Sequence, residues 1–509
     1  MSALPFLPVL LWSDVLVWLM AIAALLLGIA STRQPQLAAA WRRVGRSRPG
    51  MASATLVLVF VVVGLLDSLH YRPLLPAAPD APAAPAAYAV ETLSLLDSIA
   101  EPLRTRNEKT YSAPLATRAF AKETREERAA DGSVRQVRDF PRLRYGGAHL
   151  GDADGTSDAS SASAGPAADD GTQTATARPR LSEADRDIDI TRRAGSALAA
   201  ALALWALLLL AATSLLARRE AVPLAEASRR LWRGETVFAW KAVLLTLAAV
   251  FIVAAPLLAL CADYHVFGTD KVGQDVFYQV LKSVRTALVI GLVTTLTTLP
   301  LAIFFGLAAG YFRGWVDDLI QYLYTTLNSI PGVLLIAAAV LMMQVLIDTH
   351  PQWFSTAAER ADMRLLALCF ILGMTSWTGL CRVLRGETLK LRELEFVQAA
   401  QSFGVADLRI IARHILPNVM HIVVIALVMD FSSLVLAEAV LSYVGIGVDP
   451  TMISFGTMIN NARLELAREP MVWWSLAAAF TFMFALVLAA NLLADAVRDA
   501  FDARLAGSS

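Results

Sequence analysis

Apolar residues in this chain gather into runs of roughly 20, about the length at which a helix rising 1.5 Å per residue crosses ~30 Å of hydrocarbon. Taken in order, the runs fall at about 10–30, 51–69, 195–217, 241–261, 285–310, 320–346, 364–381, 419–443 and 472–495. They predict nine spanning helices, because a single spanning segment satisfies its own backbone groups only as a helix. The composition agrees: 56% hydrophobic residues with 17% charged is far from a soluble globular balance. Gly28-Ile29-Ala30 offers a small-residue cleavage site after the first run, but no basic stretch precedes that run, so it is expected to stay as an uncleaved span.

Arginine placement sets the expected orientation, since short cytoplasmic loops carry the Lys/Arg excess. Arg33, Arg42, Arg43, Arg46 and Arg48 follow the first run, and Arg218, Arg219, Arg229, Arg230 and Arg233 follow the third. Both loops are expected in the cytoplasm. The loop holding Arg382, Arg385, Lys390, Arg392, Arg409 and Arg413, and the tail with Arg498 and Arg504, then fall on the same side. The N-terminus is expected in the periplasm and the C-terminus in the cytoplasm.

That orientation puts the long segment 70–194 in the periplasm. Residues 74–89 are Pro/Ala-rich and 149–180 are dominated by Asp, Ser, Ala, Gly and Thr, so both read as linkers. Between them, Glu91 to Leu103 has helical apolar spacing and Ser133 to Leu143 alternates like a short strand after a turn at Asp131-Gly132. A small subdomain is expected over 90–148.

Lys+Arg and Asp+Glu both total 44, so charge gives no argument for a nucleic-acid partner. Cys261, Cys369 and Cys381 sit in or beside apolar runs without metal or redox spacing and read as core residues. The six histidines are scattered, no metal-ligand spacing occurs, and no residue set suits acid/base or nucleophilic catalysis. A Gly-x-x-x-x-Gly-Lys-Ser/Thr phosphate loop is absent, so the chain is read as non-catalytic and without a cofactor.

The most informative stretch is Glu393 to Asn418. Its first half is helix-compatible up to Gly404, which suits a left-handed C-terminal cap. A second short helix is expected from Asp407, as its N-cap, to a stop at Leu416-Pro417. Ala399 and Ala400 leave the first helix thin on one side, which would admit a partner surface.

These residues resemble the cytoplasmic coupling loop of ABC-importer permeases, whose signature is Glu-Ala-Ala, three residues, Gly, and a later Leu-Pro. The match is Ala399-Ala400, Gly404 and Leu416-Pro417, extended by Arg409-Ile410-Ile411 and Arg413-His414-Ile415. Gln398 stands where the family has Glu, and Glu395 lies nearly one turn earlier. Upstream, His265 to Asp275 resembles the family's Gly-Thr-Asp-xx-Gly-Arg-Asp segment with Gln274 in place of Arg, and Gly310 to Asp317 and Ala496 to Arg504 resemble further family segments. The extended match is closest to the dipeptide/oligopeptide class, as its C-type subunit.

The resemblance implies an all-α membrane protein. A six-span permease core over 241–507, with its coupling loop at 382–418, would follow two helices in 1–69, the insertion 70–194, and a third added helix with a linker in 195–240. It also implies a heterodimer with a second permease subunit, two cytoplasmic ATPase subunits on the loop, a periplasmic solute-binding protein, and transport of peptides or a similar small solute.

Asp430 and Glu438 stand in an apolar run, where carboxylates are costly and are expected to face the bundle or a wet path. They are candidates for bracing, gating or solute contact. Asn328 and Pro331 interrupt the sixth run, as a kink beside the path or an ordinary packed bend. Gly268, Asp270, Gly273 and Asp275 are read either as a docking site for the binding protein or as a helix start capped by Thr269 or Asp270. An ion-coupled secondary transporter is the main alternative. It would use Asp430 and Glu438 as ion carriers, but it leaves the Ala-Ala-xxx-Gly loop unexplained and calls for inverted repeats that the sequence does not show. A membrane sensor would use 70–194 as a receptor, yet it lacks a signalling domain.

Overall fold

The computed structural model describes residues 6–33, 35–75, 88–128, 134–151, 181–182, 185–354 and 356–501. The chain divides into two compact units: Met1–Ala100, Thr213–Leu247 and Gln279–Ser509 in one, Glu101–Ala212 and Ala248–Tyr278 in the other.

The N-terminal part contains α1 (Trp12–Arg33), α2 (Pro35–Arg46) and α3 (Arg48–Asp67). The short α4 (Leu95–Ile99) and α5 (Glu101–Thr105) come next, and α6 (Arg186–Glu220), α7 (Leu224–Arg233) and α8 (Trp240–Leu260) follow. The remainder consists of α9 (Val276–Phe312), α10 (Gly314–Ser329), α11 (Gly332–Thr349), α12 (Ala357–Ser376), α13 (Thr378–Arg392), α14 (Glu395–Ser402), α15 (Asp407–Ile410), α16 (Leu416–Val444), α17 (Phe455–Glu465) and α18 (Trp474–Phe501).

Local chemistry sets many of these ends. Ser47 accepts a hydrogen bond from the Gly50 amide at the start of α3, and Thr356 does the same for Glu359 in α12. Ser454 and Thr457 form a reciprocal capping pair at α17.

Among the described residues, eight helices are long and apolar enough to cross a membrane: α3, α6, α8, α9, α11, the joined α12–α13, the run from Asp407 to Val444, and α18. Eight of the nine predicted runs fall on these. The first lies on α1, of whose described residues Trp12–Leu26 form an apolar stretch shorter than those eight. The sixth run divides: α10 ends at Ser329 and α11 starts at Gly332, so Pro331 separates two helices rather than bending one.

In the first unit α18 packs on α3, α16 and α2, α17 packs on α16 and α18, and α1 packs on α12. The pair α9 and α13 approaches closely because Gly306 and Gly310 sit one turn apart. A Cβ at Gly306 would lie 2.9 Å from the Cys381 carbonyl oxygen, and one at Gly310 would lie 2.8 Å from that of Arg385. The only described sheet in this unit is antiparallel, ordered β1 (Phe6–Val9), β2 (His70–Pro73), β3 (Leu93–Ser94), with Phe6 opposite Pro73 and His70 opposite Ser94.

The second unit holds the hairpin β4 (Glu123–Arg128) with β5 (Val134–Asp139), and a short parallel pair β6 (Leu150–Gly151) with β7 (Leu181–Ser182). The strand expected over 133–143 is β5. Its partner β4 was not foreseen, because Glu123 to Arg128 is wholly polar and shows no apolar alternation. The helix expected over 91–103 is instead β3 followed by α4 and α5, since Ser94 and Asp97 form a capping pair that starts a new helix. The predicted linkers lie largely outside the described residues.

Candidate functional site

The loop between α13 and α16 folds as a helix, a left-handed turn and a second helix. α14 carries Glu395, Gln398, Ala399 and Ala400, and Gly404 follows at φ 72°, a conformation that glycine reaches without strain. Val397, Ile410 and Ile415 are fully buried and anchor the loop against the core formed with α9, α10 and α13. Tyr311 at the end of α9 is the polar hub: its hydroxyl donates to Asp407 Oδ1 at 2.7 Å, its carbonyl accepts from Arg392 at 2.7 Å, and Gln401 donates to its hydroxyl at 3.3 Å. Arg385 forks onto both Asp317 oxygens at 2.6 and 2.7 Å, tying α13 to α10.

Pinned this way, the turn presents apolar side chains outward. Phe403 is 87% exposed and Leu408 75% exposed, flanked by exposed Leu394 and Phe396. Glu395, Gln398, Ala399 and Arg413 are exposed as well, while His414 is half-buried with its ring 6.1 Å from that of Phe396. Phe403 and Leu408 were not singled out from the sequence, although apolar residues at either side of a Gly turn in a polar loop are a readable signal.

Two expectations about this loop are corrected. Asp407 is not the N-cap: Ala406 occupies that position, and the Asp407 carboxylate takes the Tyr311 hydroxyl instead. Leu416-Pro417 does not stop the helix. α15 passes through a π-turn at Ile411–Ile415 directly into α16, with Pro417 at the start of the new helix. The wider turn accommodates a residue that lacks an N–H and crowds the carbonyl four positions earlier.

In α16, Glu438 is 1% exposed and accepts from Ser442 Oγ at 2.6 Å and Ser454 Oγ at 2.8 Å. It therefore joins α16 to the start of α17. Asp430, two turns earlier, is half-buried, and its carboxylate makes no hydrogen bond among the described residues. Asn328 Oδ1 accepts from Thr378 at 3.2 Å, connecting the end of α10 to the start of α13, and Pro331 opens α11 at its N-cap.

A buried charge cluster at the start of α9 was missed by the sequence reading, which noted only the two carboxylates of the eighth run. Arg285 donates to Asp14 Oδ1 through Nη2 at 2.5 Å and Nε at 3.2 Å, and to Ser13 Oγ at 2.9 Å. Asp14 also contacts His70 Nδ1 at 2.7 Å, and the Ser13 amide donates to Asp362 at 3.2 Å. One turn earlier Lys282 reaches Asp67 at 2.6 Å and Asp97 at 3.1 Å. Single charges at the ends of apolar runs were the available signal.

In the second unit the Gly268–Asp275 segment is a tight loop, not a helix start. Asp270 Oδ1 accepts from the amides of Val272 and Gln274, both at 2.9 Å, and Gly268 and Gly273 take positive φ. The cap of α9 is Asp275, whose Oδ1 accepts from the Phe277 amide at 2.8 Å; neither Thr269 nor Asp270 serves. Asp275 is fully buried, with His265 Nδ1 at 2.8 Å from its other oxygen.

Glu108 of the insertion lies on the far side of that imidazole, 3.4 Å from Nε2, and accepts the amides of Arg144, Tyr145 and Gly146 at 2.8 to 3.0 Å. Burial alone would raise the Glu108 carboxyl, but His265 and those amides outweigh it and hold it down at about 2. Burial would likewise lower His265, yet Asp275 and Glu108 hold it up at about 9.

A pH window follows. Stabilisation by His265 is complete below its ordinary 6.5 and is lost as pH rises through about 9. That by Glu108 is complete above its ordinary 4.5 and is lost as pH falls towards about 2. Protease resistance of the insertion is expected to be greatest between these two ordinary values and to fall by about pH 10. His265→Gln should abolish the alkaline fall, and resistance flat from neutral to alkaline pH in the wild type would contradict the assignment.

Residues 302–507 match the family profile described as "Binding-protein-dependent transport system inner membrane component". The glutathione transport system permease of Pectobacterium atrosepticum is 33% identical over 243 residues, covering 47% of this chain and 73% of that protein. The oligopeptide transport system permease of Mycobacterium bovis is 29% identical over 287 residues, covering 54% of this chain and 92% of that protein. The dipeptide transport system permease of Bacillus subtilis is 27% identical, covering 47% and 69%. With the helical core and the outward-facing loop, these likenesses favour a pump-linked permease over an ion-coupled transporter. The chain belongs to the binding-protein-dependent inner-membrane components, the multi-pass permease subunits of ATP-driven importers.

Proposed function

We propose that the chain forms half of a translocation path for peptides or a similar small solute, paired with a second, related permease subunit. Two cytoplasmic ATPase subunits would dock on the loop from Glu395 to Pro417, and a periplasmic binding protein would deliver the solute. The carrying observation is the rigid turn at Gly404 with Phe403 and Leu408 exposed on either side. Large apolar side chains held out at the surface of a pinned loop suit a protein partner.

The chemistry at one end of the first unit supports the expected orientation. Val44 of α2 packs with Val497 and Ala500 of α18 and with Val424 and Val428 in the first half of α16, so the arginine-rich loop after α1 shares an end with the coupling loop. This arrangement favours a cytoplasmic C-terminus and a periplasmic N-terminus. The peptide-class solute rests on the names of the relatives.

A gentle detergent pull-down of the tagged chain from its native membrane tests the proposal. Recovery of a second permease, ATPase subunits and a binding protein, with ATPase activity, is expected. A chain recovered alone under conditions that preserve such complexes would reject it.

Within the bundle, Glu438 is proposed to brace α16 against α17 and Asp430 to face the solute route. The Asp430→Ala, Glu438→Ala double variant is expected to lose most uptake, with the Glu438 change lowering thermal stability by about 1–3 kcal/mol through its orphaned hydroxyl partners. Wild-type uptake by the double variant would dismiss both roles.

A further inference from the structure

The arginines of α2, of the first position of α3 and of α7 exceed what the fold uses. Residues 35–48 hold four arginines and no acidic residue. Arg42, Arg46, Arg48, Arg229 and Arg233 are exposed, and among the described residues none is paired with a carboxylate. Arg230 shows the contrast: it holds Glu220 at 3.1 Å and Glu226 at 2.5 Å. The two helices share one platform. The Ala239 amide donates to the Gly45 carbonyl at 2.8 Å, the Phe238 ring packs on Gly45, and a Cβ at Gly234 would lie 3.6 Å from Arg48 Nη2.

Chain length keeps this platform at the membrane boundary. α2 lies between α1, ending at Arg33, and α3, starting at Arg48, while α7 falls in the 19 residues between Glu220 and Trp240. Neither has slack to leave the headgroup zone. Their apolar sides are already used, Val44 against α18 and Ala227 and Leu231 in the interior. Trp41 and Trp232, both exposed, directly precede Arg42 and Arg233, and exposed Trp240 opens α8, as suits amphipathic rings at a lipid interface.

We propose that α2 and α7 together form a docking surface for anionic phospholipid headgroups of the inner membrane. Phosphate is the complement of forked guanidiniums that lack carboxylates, and it is the anion present in this layer at the highest density. The bound lipid would clamp the added helices to the boundary.

The test is lipid retention by the full chain, extracted from membranes in polymer-bounded patches, with phosphatidylglycerol and cardiolipin quantified against the bulk membrane. Wild type is expected to be enriched in both. Replacing all five arginines by glutamine should erase the enrichment, each single change lowering it by up to about fivefold, while replacing all five by lysine should retain most of it. Should the five-fold glutamine variant fail to assemble, R46Q with R233Q is read in the same way. Unenriched wild type, or enrichment unchanged in the glutamine variants, overturns the proposal. Loss of co-purified ATPase subunits with lipid enrichment intact overturns it in favour of a protein partner.

Discussion

Replacing Asp14 by alanine is expected to lower the stability of the chain by about 3–5 kcal/mol, the usual cost of leaving one half of a buried ion pair alone. Arg285 and Asp14 are 7% and 1% exposed, and Asp14 supplies two of the guanidinium's three hydrogen bonds described at this site. The remaining one, to Ser13, offers no charge. Thermal unfolding in detergent should report the loss, together with a smaller monodisperse yield. Asp14→Ala with Arg285→Met should recover much of it, because the unpaired guanidinium is then gone as well. An unshifted melting curve for Asp14→Ala would show that the pair does not hold α1 to α9.

Phe403→Asp is expected to release the ATPase subunits while leaving the permease folded. A central aromatic anchor commonly contributes about 2 kcal/mol or more, so retention should fall roughly thirtyfold. Phe403 is 87% exposed, and its loss therefore removes little from the core. Gly404→Val is the useful companion: nothing lies within 4 Å of the added Cβ, so its effect arises from forcing a branched residue to φ 72°, about 1–2 kcal/mol. It should weaken coupling less than Phe403→Asp and should slightly destabilise the turn. Full ATPase retention by Phe403→Asp would move the docking surface elsewhere.

The membrane architecture was legible because a 20-residue apolar run has few alternative folds, and eight of the nine predicted runs fall on helices long and apolar enough to span. Motif order singled out the stretch from Glu393 to Asn418, whose Gly404 has the expected left-handed geometry. What escaped was tertiary. Asp275 directly precedes α9 and caps it, whereas Thr269 and Asp270 lie in the Gly-bounded loop before it. Leu416-Pro417 looked like a stop because local rules do not foresee a π-turn absorbing the proline. The Arg285–Asp14 pair joins residues 271 apart in sequence, and no single-chain pattern matches such partners. The insertion likewise supplied Glu108 to His265 across 157 positions, which composition could not reveal.

The unbroken passage from Asp407 through the π-turn into α16 makes the second half of the loop and the span one rod. From Leu416 to Glu438 that rod is about 33 Å long, the thickness of a bilayer core. A push taken up by α15 would therefore be passed along one continuous helical segment towards the Ser442–Glu438–Ser454 joint near its other end.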